Sequence, residues 1–518
     1  MWRPIHTNPA AHCGLNTLVM TGPITECFDR VSREHRHRVA IYGLTEGLTR
    51  TFGDLRDDAN ALQRAIASLG LPSRPVIVSN VGNRTGLAPL FLASLGLQGS
   101  LVLVDGDTAA REVNDLAELY GTNLIVASAG AGVLSRPGGV SPADLPCGLS
   151  GSVRHRQEAP AWRRPGETGA LCLKITSGSL GVSKAVVVSE HTLLSDGLHV
   201  IEAMDIRSTD VNLGVVPMAH SYGMGNLLLP LILAGSPVVL RDRFVPTQWA
   251  EDVVRLGVTT FPGVPVMFDY LRRTPDAAAR LAELRMVITA GAPIDTETLR
   301  HFKERYGVKV HSLYGTSETG SITFDSSAEL HEPVSVGWPM PDTAVSLASV
   351  PDLAAPEGRV TVQGPAVARR YAFPDPRDDQ SSEFTKEGFL TGDVGAFSSD
   401  GRLTLTGRVS GFVNVAGRKV HPREVERVIA ELAGVGQVWV LGRNDGARGQ
   451  ELVACVERRS PDLTVAEIRR HCVKTLTPYK VPRRIVFADD LPVNARGKTP
   501  RLAIEALLDI LERGTNGL

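Results

Sequence analysis

The sequence predicts an α/β fold with a large N-terminal domain and a smaller α+β domain after it. Short β-rich runs alternate with helical periodicity over residues 38–125, and the alternation resumes over Leu171–Leu313. Such alternation is typical of parallel sheets assembled from βαβ units. The pattern changes near Pro333, after which short strands over Ser335–Leu405 are separated by Gly, Pro and Asp turns. These closely spaced strands indicate a small antiparallel barrel.

A third pattern, with its own helices and strands, begins at about Gly411. We therefore place a boundary near Arg408, so that residues 1–408 form the first domain and residues 409–518 form the second. The elements predicted in the second domain are the helices Pro422–Leu432 and Val465–Leu476 and the strands Gln437–Leu441 and Leu452–Glu457.

Within the first domain, the periodicity of apolar residues predicts the positions of the helices and strands along the chain. The clearest helix is Asp54–Leu69, whose apolar positions share one face. Ala127–Gly169 is rich in Gly, Pro, Ser and Arg without any period, so we expect a long surface connection there. The predicted strands are Val76–Ser79, Leu101–Val104, Asn123–Val126, Val211–Val216, Pro237–Leu240, Thr259–Phe261, Leu284–Thr289 and Val308–Leu313, and the further helices are Met224–Ala234 and Thr247–Leu256.

The length of the chain predicts the number of domains, and its net charge disfavours some classes of binding protein. The chain has 518 residues, which at roughly 150 residues per domain predicts about three to four domains. Lys and Arg total 55 against 56 Asp and Glu, a net charge of −1. This balance disfavours a broad electrostatic binder of nucleic acid or of a membrane surface. The longest apolar stretch, Leu227–Val239, is interrupted by prolines and glycine, so we expect no membrane span.

The six cysteines are irregularly spaced and form no C-x-x-C pair. This spacing indicates reduced thiols in place of a disulfide framework or a zinc site. The N-terminal residues lack a basic segment followed by an apolar one, so we expect no signal peptide. Together these observations predict a cytoplasmic protein.

A turn rich in Ser and Gly follows the apolar run Ala170–Ile175. Its sequence is TSGSLGVSKAV, from Thr176 to Val186. Exposed backbone N–H groups, hydroxyl groups and the charge of Lys184 suit the binding of phosphate. The turn is not a P-loop, which requires G-x-x-x-x-G-K-[ST].

The turn resembles the [ST]-S-G-[ST]-T-G-x-P-K-x-V signature of adenylate-forming enzymes, a superfamily of acyl-CoA synthetases, peptide-synthetase adenylation domains and luciferases. Four further motifs are similar to those of the superfamily and occur in the same order, so the resemblance spans nearly the whole chain. They are Tyr314–Glu318 (YGTSE), Thr391–Gly395 (TGDVG), Gly407–Glu426 (GRVSGFVNVAGRKVHPREVE) and Leu491–Arg501 (LPVNARGKTPR).

The resemblance implies an N-terminal adenylation core of two α/β subdomains and a β-barrel, a mobile C-terminal lid domain that carries the catalytic lysine, and a reaction in two halves. A carboxylate attacks the α-phosphorus of ATP, which gives an acyl-adenylate and pyrophosphate, and a nucleophile such as the CoA thiol then displaces AMP. Such a reaction needs cations, because an anion approaches a polyanion. The implied catalytic residues are Lys498, which would bridge the carboxylate and the α-phosphate, and His220 at the acyl entrance.

The resemblance also assigns the nucleotide site. Glu318 is the expected Mg²⁺ ligand, since Mg²⁺ favours one or two carboxylates together with phosphate oxygens. Asp393 is expected on the ribose hydroxyl groups with help from Arg408, and Tyr314 on the adenine ring, although Tyr314 suits a core position as well. The remaining expected contacts are Thr176, Ser177, Gly178, Ser179 and Lys184 for the phosphates, and Gly291, Ala292, Pro293, Gly315 and Thr316 for the nucleoside.

Several positions depart from the motifs. Leu180 and Ser183 replace the usual Thr and Pro of the turn, and the lost hydroxyl group costs about 1 kcal/mol of phosphate binding. Ser410 stands at the hinge position, which is usually Asp or Lys, and Ser410-Gly411 is still a flexible pair. Asn414 and Arg418 also differ from the common residues near the thioester-forming tunnel. These changes affect the acceptor more than the adenylation.

The expected acid pocket follows the strand at Val211–Val216. No Asp or Glu occurs from Val211 to Leu240, so the ammonium group of a free α-amino acid finds no carboxylate there. The walls are small or apolar, which suits an acyl or aryl tail. The expected pocket residues are His220, Tyr222, Met224, Gly225, Gly263, Val264 and Ala290.

The leading hypothesis is therefore a carboxylate–CoA ligase that uses ATP and Mg²⁺. One alternative keeps the adenylation but transfers the acyl group to an amine or to a separate carrier protein, which would act in trans because no carrier domain follows Leu518. Another is a nucleotide-binding homologue without activity, which Lys498, Glu318 and Asp393 oppose. Glycine spacing sets aside a P-loop NTPase or a Rossmann dehydrogenase.

Overall fold

Helices of the chain flank its sheets on both faces. The computed structural model describes residues 24–129, 140–154, 160–164, 167–176, 184–350, 356–373, 383–409, 413–415, 418–420, 422–444, 450–476, 480–492 and 501–515. The helices are α1 (Ile24–Glu34), α2 (Phe52–Ala67), α3 (Leu87–Gly96), α4 (Ala110–Leu119), α5 (Glu190–Ala203), α6 (Ser221–Gly223), α7 (Leu229–Leu233), α8 (Pro246–Leu256), α9 (Pro265–Arg272), α10 (Pro275–Ala278), α11 (Thr296–Tyr306), α12 (Pro422–Ala430), α13 (Val465–Thr475) and α14 (Arg501–Thr515).

The strands fall into two large sheets, a barrel and a C-terminal group. They are β1 (Val39–Gly43), β2 (Leu48–Thr51), β3 (Val76–Asn80), β4 (Ser100–Leu103), β5 (Leu124–Ser128), β6 (Val140–Leu145), β7 (Leu149–Arg154), β8 (Leu171–Thr176), β9 (Lys184–Ser189), β10 (Asn212–Gly214), β11 (Val238–Leu240), β12 (Thr260–Gly263), β13 (Met286–Thr289), β14 (Val310–Thr316), β15 (Gly320–Phe324), β16 (Trp338–Pro339), β17 (Ala344–Ala348), β18 (Gly358–Gln363), β19 (Arg370–Tyr371), β20 (Glu383–Thr385), β21 (Gly388–Phe397), β22 (Leu403–Arg408), β23 (Val413–Val415), β24 (Arg418–Val420), β25 (Val435–Asn444), β26 (Gln450–Arg458) and β27 (Arg484–Ala488).

The first sheet has the strand order β19-β9-β8-β4-β3-β5-β7-β6. Its centre is parallel, as the alternation predicts, because β3 pairs in parallel with β4 and β5, and β4 with β8. The expected surface connection over Ala127–Gly169 is wrong in part. It contains the antiparallel pair β6 and β7, and Leu149 and Val153 of β7 are buried. Gly and Ser interrupt the apolar alternation of this hairpin, which hides it in the sequence.

The second sheet has the strand order β16-β15-β14-β13-β12-β10-β11-β1-β2. The six strands from β14 to β1 in this order pair in parallel, and antiparallel strands close both edges. A large apolar core lies between this sheet and the first and includes Phe52, Leu62 and Leu231. The opposite face of the sheet carries an aromatic cluster with Phe261 and Phe268, whose ring centroids are 5.8 Å apart. The rigid frame therefore places the carboxyl ends of many strands near one another.

Capping residues determine where the helices α2 and α8 begin or end. The α2 helix begins at Phe52, two residues before its predicted start, because Thr51 caps it. The Thr51 hydroxyl oxygen accepts a hydrogen bond from the Asp54 N–H (3.1 Å), and the Asp54 carboxylate accepts one from the Thr51 N–H (2.9 Å). The α8 helix ends before Gly257, whose φ of 62° suits glycine. The described helices include none long and apolar enough to cross a membrane.

The predicted helix Met224–Ala234 is divided into a π-helical turn over Met224–Leu228 and the short α7. The Leu229 N–H donates to the carbonyl of Met224, five residues earlier. Pro230 has no N–H to donate to Asn226, which removes one bond of a regular helix at this point. A widened turn of this kind is frequent at functional sites.

The barrel and the C-terminal elements match the predicted change of pattern. Strands β17, β18, β21, β20 and β22 form an antiparallel set, with Val360 and Leu403 fully buried. The C-terminal part has its own apolar cluster beneath α12 and α13, including Val425, Ile429 and Ile468. The fold class is thus confirmed as α/β with a separate α+β domain, while the boundary between residues 1–408 and 409–518 stays a prediction.

Candidate active site

The predicted phosphate turn joins two paired strands. Thr176 at the end of β8 lies opposite Lys184 at the start of β9 in an antiparallel register. The Thr176 hydroxyl group donates to the carbonyl oxygen of Lys184 at 3.4 Å. Five predicted or departing turn positions lie outside the described residues, namely Ser177, Gly178, Ser179, Leu180 and Ser183. The described ends therefore fix where this turn leaves the sheet.

Tyr371 contacts both Lys184 and Glu318. The Lys184 Nζ atom is 5.3 Å from the centroid of the Tyr371 ring, and the Tyr371 hydroxyl group donates to Glu318 Oε1 at 2.9 Å. Tyr371 lies in β19, which pairs with β9 opposite Val186. The sequence analysis did not find Tyr371, because it is distant along the chain from both residues that it contacts. The structure thus brings the lysine of the turn close to the carboxylate expected to bind metal.

Asp393 is held by two partners on neighbouring strands. The Tyr314 hydroxyl group donates to Asp393 Oδ2 at 2.8 Å, and Arg408 Nε lies 3.1 Å from Asp393 Oδ1. Asp393 and Arg408 face each other in the register of β21 and β22. Burial, helped by the Asp393 charge, raises the pKa of Tyr314 well above its usual 10. Tyr314 therefore stays protonated and donates this hydrogen bond at physiological pH.

Tyr314 packs with the barrel core, next to Ile322 and Val360, and is 8% exposed. This placement agrees with the core position that its sequence also suited, and its contact with adenine stays a prediction. The neighbouring Gly315 approaches a backbone closely, because a Cβ there would lie 2.5 Å from the carbonyl oxygen of Gly320. The Thr316 and Thr319 hydroxyl oxygens are 3.1 Å apart, which closes the turn between β14 and β15.

The Gly291-Ala292-Pro293 turn follows β13 at the carboxyl end of the parallel sheet. Gly291 has a φ of +84°, a conformation that suits glycine. Gly291 and Pro293 are exposed and Ala292 is half-buried, whereas Ala290 before them is 6% exposed. The turn thus offers backbone to a ligand at the edge where α/β proteins bind nucleotides.

His220 has an acidic partner from the other sheet. Its Nε2 atom is 2.7 Å from Asp105 Oδ2, and the Asp105 side chain is 8% exposed. Asp105 follows β4 at the carboxyl end of a parallel strand, a position that could have pointed to it in the sequence. This contact fixes the orientation of the imidazole ring.

The structure divides the predicted pocket residues into two groups. Met224 is fully buried in the core, and the Tyr222 hydroxyl group donates to the carbonyl oxygens of Gly263 (3.1 Å) and Ile288 (3.4 Å). Met224 and the Tyr222 hydroxyl group therefore stabilise the frame, and their contact with an acid stays a prediction. Gly225, Val264 and Ala290 lie along the same surfaces, and their contact with an acid stays a prediction.

Lys498 and Ser410 lie outside the described residues. Asn414 and Arg418 belong to the paired strands β23 and β24, and the structure describes only their backbone. No group of three or more His, Cys, Asp or Glu side chains suited to a metal ion occurs among the residues that the structure describes. One carboxylate at Glu318 fits Mg²⁺, because this ion binds through one or two carboxylates and substrate phosphates.

Comparisons with known proteins agree with this geometry. The family described as AMP-binding enzyme matches residues 28–372, and the AMP-binding enzyme C-terminal domain matches residues 424–498. The chain is 28% identical over 487 residues to the sulfoacetate–CoA ligase of Cupriavidus necator, covering 88% of this chain and 92% of that protein. It is 26% identical over 482 residues to the 4-chlorobenzoate–CoA ligase of an Arthrobacter species, covering 91% and 92%.

Solved structures show the same fold. The ATP-bound MatB of Rhodopseudomonas palustris superposes with a TM-score of 0.80 at 22% identity, covering 94% of this chain and 99% of that one. The amide bond synthetase McbA of Marinactinospora thermotolerans superposes with a TM-score of 0.77 at 23% identity, covering 94% and 100%. With its ordered motifs and paired site residues, the chain belongs to the AMP-binding enzyme family and is an adenylate-forming ligase of the carboxylate–CoA ligase type.

Proposed function

We propose that this chain activates an acyl or aryl carboxylic acid with ATP, releases pyrophosphate, and transfers the acyl group to CoA as a thioester. The observation that carries the proposal is the pair of contacts at the two ends of the YGTSE motif. Tyr314 holds Asp393 at one end, and Glu318 reaches Lys184 through Tyr371 at the other. Asp393, expected to bind the ribose, and Lys184, expected to bind the phosphates, are therefore linked to opposite ends of the YGTSE motif.

In the first half-reaction, a carboxylate oxygen of the acid attacks the α-phosphorus of ATP. The bond from that phosphorus to the pyrophosphate oxygen breaks, and pyrophosphate leaves. Lys184 and the hydroxyl groups of the turn would hold the leaving phosphates, and Lys498 would offset charge between the carboxylate and the α-phosphate. A compact ammonium group suits this role, because the charge develops on small oxygens.

The nucleoside is held by a separate set of residues in this proposal. Asp393 accepts hydrogen bonds from the two ribose hydroxyl groups, and Arg408 and Tyr314 hold its carboxylate in place. Gly291, Ala292 and Pro293 present backbone to the adenine, together with Gly315 and Thr316. Glu318 would hold Mg²⁺, and the bound ion would supply positive charge against the phosphates.

In the second half-reaction, the CoA sulfur attacks the acyl carbon, the bond from that carbon to the AMP oxygen breaks, and the thiol proton is lost. His220, oriented by Asp105, would line the entrance through which the acyl group is presented. The C-terminal domain would rotate about Ser410 between the two halves. An amine or the thiol of a carrier protein would attack the same carbon, so the acceptor is open to direct test.

We place the enzyme in the cytoplasm. The support is that the five described cysteines, Cys27, Cys147, Cys172, Cys455 and Cys472, are free thiols. Burial raises the pKa of Cys172 to about 12 and that of Cys455 to about 11, so these thiols are unreactive at neutral pH.

The proposal is tested by identifying the product. The protein is incubated with Mg²⁺, ATP and a panel of aliphatic and aromatic acids, with CoA, with amines, or with neither, and products are identified by mass spectrometry. We expect an acyl-CoA in the presence of CoA and an acyl-adenylate in its absence. Amide formation with CoA left unused would overturn the thioester step, and ADP in place of AMP would overturn the adenylation.

A further inference from the structure

Asp196 is a buried carboxylate beside the predicted acid pocket. It lies in α5 and is 2% exposed. Its Oδ1 atom accepts a hydrogen bond from the Ser321 N–H at 2.9 Å, across the contact between α5 and β15. Asp196 precedes the segment Val211–Leu240, in which no Asp or Glu occurs.

The second oxygen of Asp196 lies near Gly225, a residue of the predicted acid pocket. A Cβ atom added to Gly225 would lie 3.5 Å from Asp196 Oδ2 and 3.9 Å from Ser321 Oγ. Gly225 belongs to the π-helical turn, which contacts α5. The space over Gly225 therefore has Asp196 Oδ2 at its edge, at ordinary van der Waals distance from a carbon atom placed there.

The protein itself does not neutralise this carboxylate. Among the residues that the structure describes, no Lys or Arg forms an ion pair with Asp196, and Oδ2 accepts no hydrogen bond. His199 lies one helical turn further along α5, and burial lowers its pKa below the usual 6.5 despite the Asp196 charge. The imidazole is therefore neutral at physiological pH. A buried carboxylate is costly unless it gains a donor, and a donor-bearing ligand beside Gly225 would supply one.

The backbone is built around this carboxylate. Gly320 has a φ of +66°, and a Cβ there would lie 2.5 Å from both Cγ and Oδ1 of Asp196. Only glycine fits at this position while Asp196 occupies its place. The contact also orders β15, directly after the motif that carries Glu318. Asp196 is thus a fixed element of the site.

We propose that Asp196 determines the specificity for the acid, by selecting a substrate whose tail carries an N–H or O–H donor, such as an amino or hydroxyl substituent. This inference rests on the proposed function, because it takes Gly225 as part of the acid pocket. The carboxylate of the acid reacts at ATP, and the donor on its tail binds Asp196 Oδ2. An acid with a purely hydrocarbon tail would leave Asp196 desolvated and unpaired, so it would bind weakly.

The test compares matched acids with the wild-type protein and with Asp196→Asn. Each pair shares one aryl or alkyl skeleton and differs only in an amino or hydroxyl group replaced by a methyl group. We expect wild-type kcat/KM for pyrophosphate release to favour the donor-bearing acid by about 10- to 100-fold. Asp196→Asn should remove most of this preference, because kcat/KM falls for the donor-bearing acid and rises for the methyl analogue, whose binding no longer leaves a buried charge unpaired. A cationic amine should lose more than a hydroxyl group, because the asparagine oxygen still accepts a hydrogen bond.

Glu202→Gln is the control, because it removes the same charge from an exposed position of the same helix. Equal wild-type rates for the two acids of every pair would overturn the inference, and this comparison needs no variant. Equal losses for both acids in Asp196→Asn would overturn it as well. If no acid is activated at all, the proposed function fails separately, and calorimetric binding of the same pairs still decides whether Asp196 selects the donor.

Discussion

At the scale of single residues, the site depends on side chains that orient the charged groups. Asp105 holds His220, and Tyr314 holds Asp393. Tyr371 stands between Lys184 and Glu318. The motifs identify the charged residues, but they do not identify Asp105 or Tyr371, which come from other strands. Asp105 directly follows a predicted strand and could have been proposed from the sequence, whereas Tyr371 is predictable only after the sheets are assembled.

Replacing Tyr314 with Phe removes one donor from Asp393. We expect the KM for ATP to rise about 10-fold, since a hydrogen bond to a charged group contributes about 1.5 kcal/mol. The control is Tyr306→Phe, which removes a hydroxyl group that donates to Pro275 outside the site. Steady-state kinetics with varied ATP checks this expectation. An unchanged KM for ATP in Tyr314→Phe would show that the hydrogen bond from Tyr314 to Asp393 does not contribute to ATP binding.

Replacing Glu318 with Gln removes the carboxylate assigned to Mg²⁺. The Mg²⁺ concentration for half-maximal pyrophosphate release should rise by about 10-fold or more, because a neutral amide is a weaker ligand. Tyr371→Phe should give a smaller shift, because it removes only the hydrogen bond to Glu318. The exposed Glu329 provides the matched control, Glu329→Gln. Equal Mg²⁺ dependence in the Glu318 and Glu329 variants would count against the metal assignment.

At the scale of elements, the long periodic segments were predictable and the interrupted ones were not. The predicted helix Thr247–Leu256 is α8 to within one residue, because one apolar face is buried beside Trp249. The hairpin of β6 and β7 was missed, because Gly and Ser replace the apolar residues that mark a strand. The π-helical turn at Met224–Leu228 was also missed, since a hydrophobic pattern does not distinguish a π-helix from an α-helix.

The α12 helix carries a glutamate that makes stability depend on pH. Glu426 Oε1 accepts a hydrogen bond from the Val440 N–H of β25 at 2.8 Å, and burial raises the pKa of Glu426 from 4.5 to about 7. The folded state therefore binds a proton more tightly than the unfolded state. Stability of this element is complete below pH 4.5 and falls by about 2–3 kcal/mol as the pH rises through 7.

Glu426→Gln should remove this dependence, because the amide keeps the acceptor oxygen without a charge. Hydrogen exchange of the β25 amides, corrected for intrinsic rates, checks it at pH 5 and pH 8. We expect the variant to be more protected than the wild-type protein at pH 8 and similar at pH 5. Glu467→Gln, at an exposed position of α13, should retain the wild-type dependence. The same dependence in Glu426→Gln would exclude Glu426 as its cause.

At the scale of the whole molecule, the parts of the site come from distant regions of the chain. Asp105 follows the fourth strand, Lys184 begins the ninth, and Asp393 and Arg408 lie in the barrel. The resemblance of the ordered motifs implied that Lys184, Asp393 and Arg408 belong to one site, which periodicity cannot indicate because it depends only on local structure, and Asp105 was found only in the structure. The position of Asp196 beside the predicted acid pocket could not be predicted from its own segment, because its neighbours Gly225 and Ser321 are far from it in sequence.

The most direct test of the central claim measures acid-dependent pyrophosphate release from Mg²⁺ and ATP, with and without CoA, for the wild-type protein and Lys498→Ala. We expect that one class of acid drives pyrophosphate release, that CoA accelerates it, and that Lys498→Ala lowers it by about 100-fold or more while ATP still binds. Release that is independent of the acid, or that is equal in the two proteins, would exclude acid adenylation assisted by Lys498.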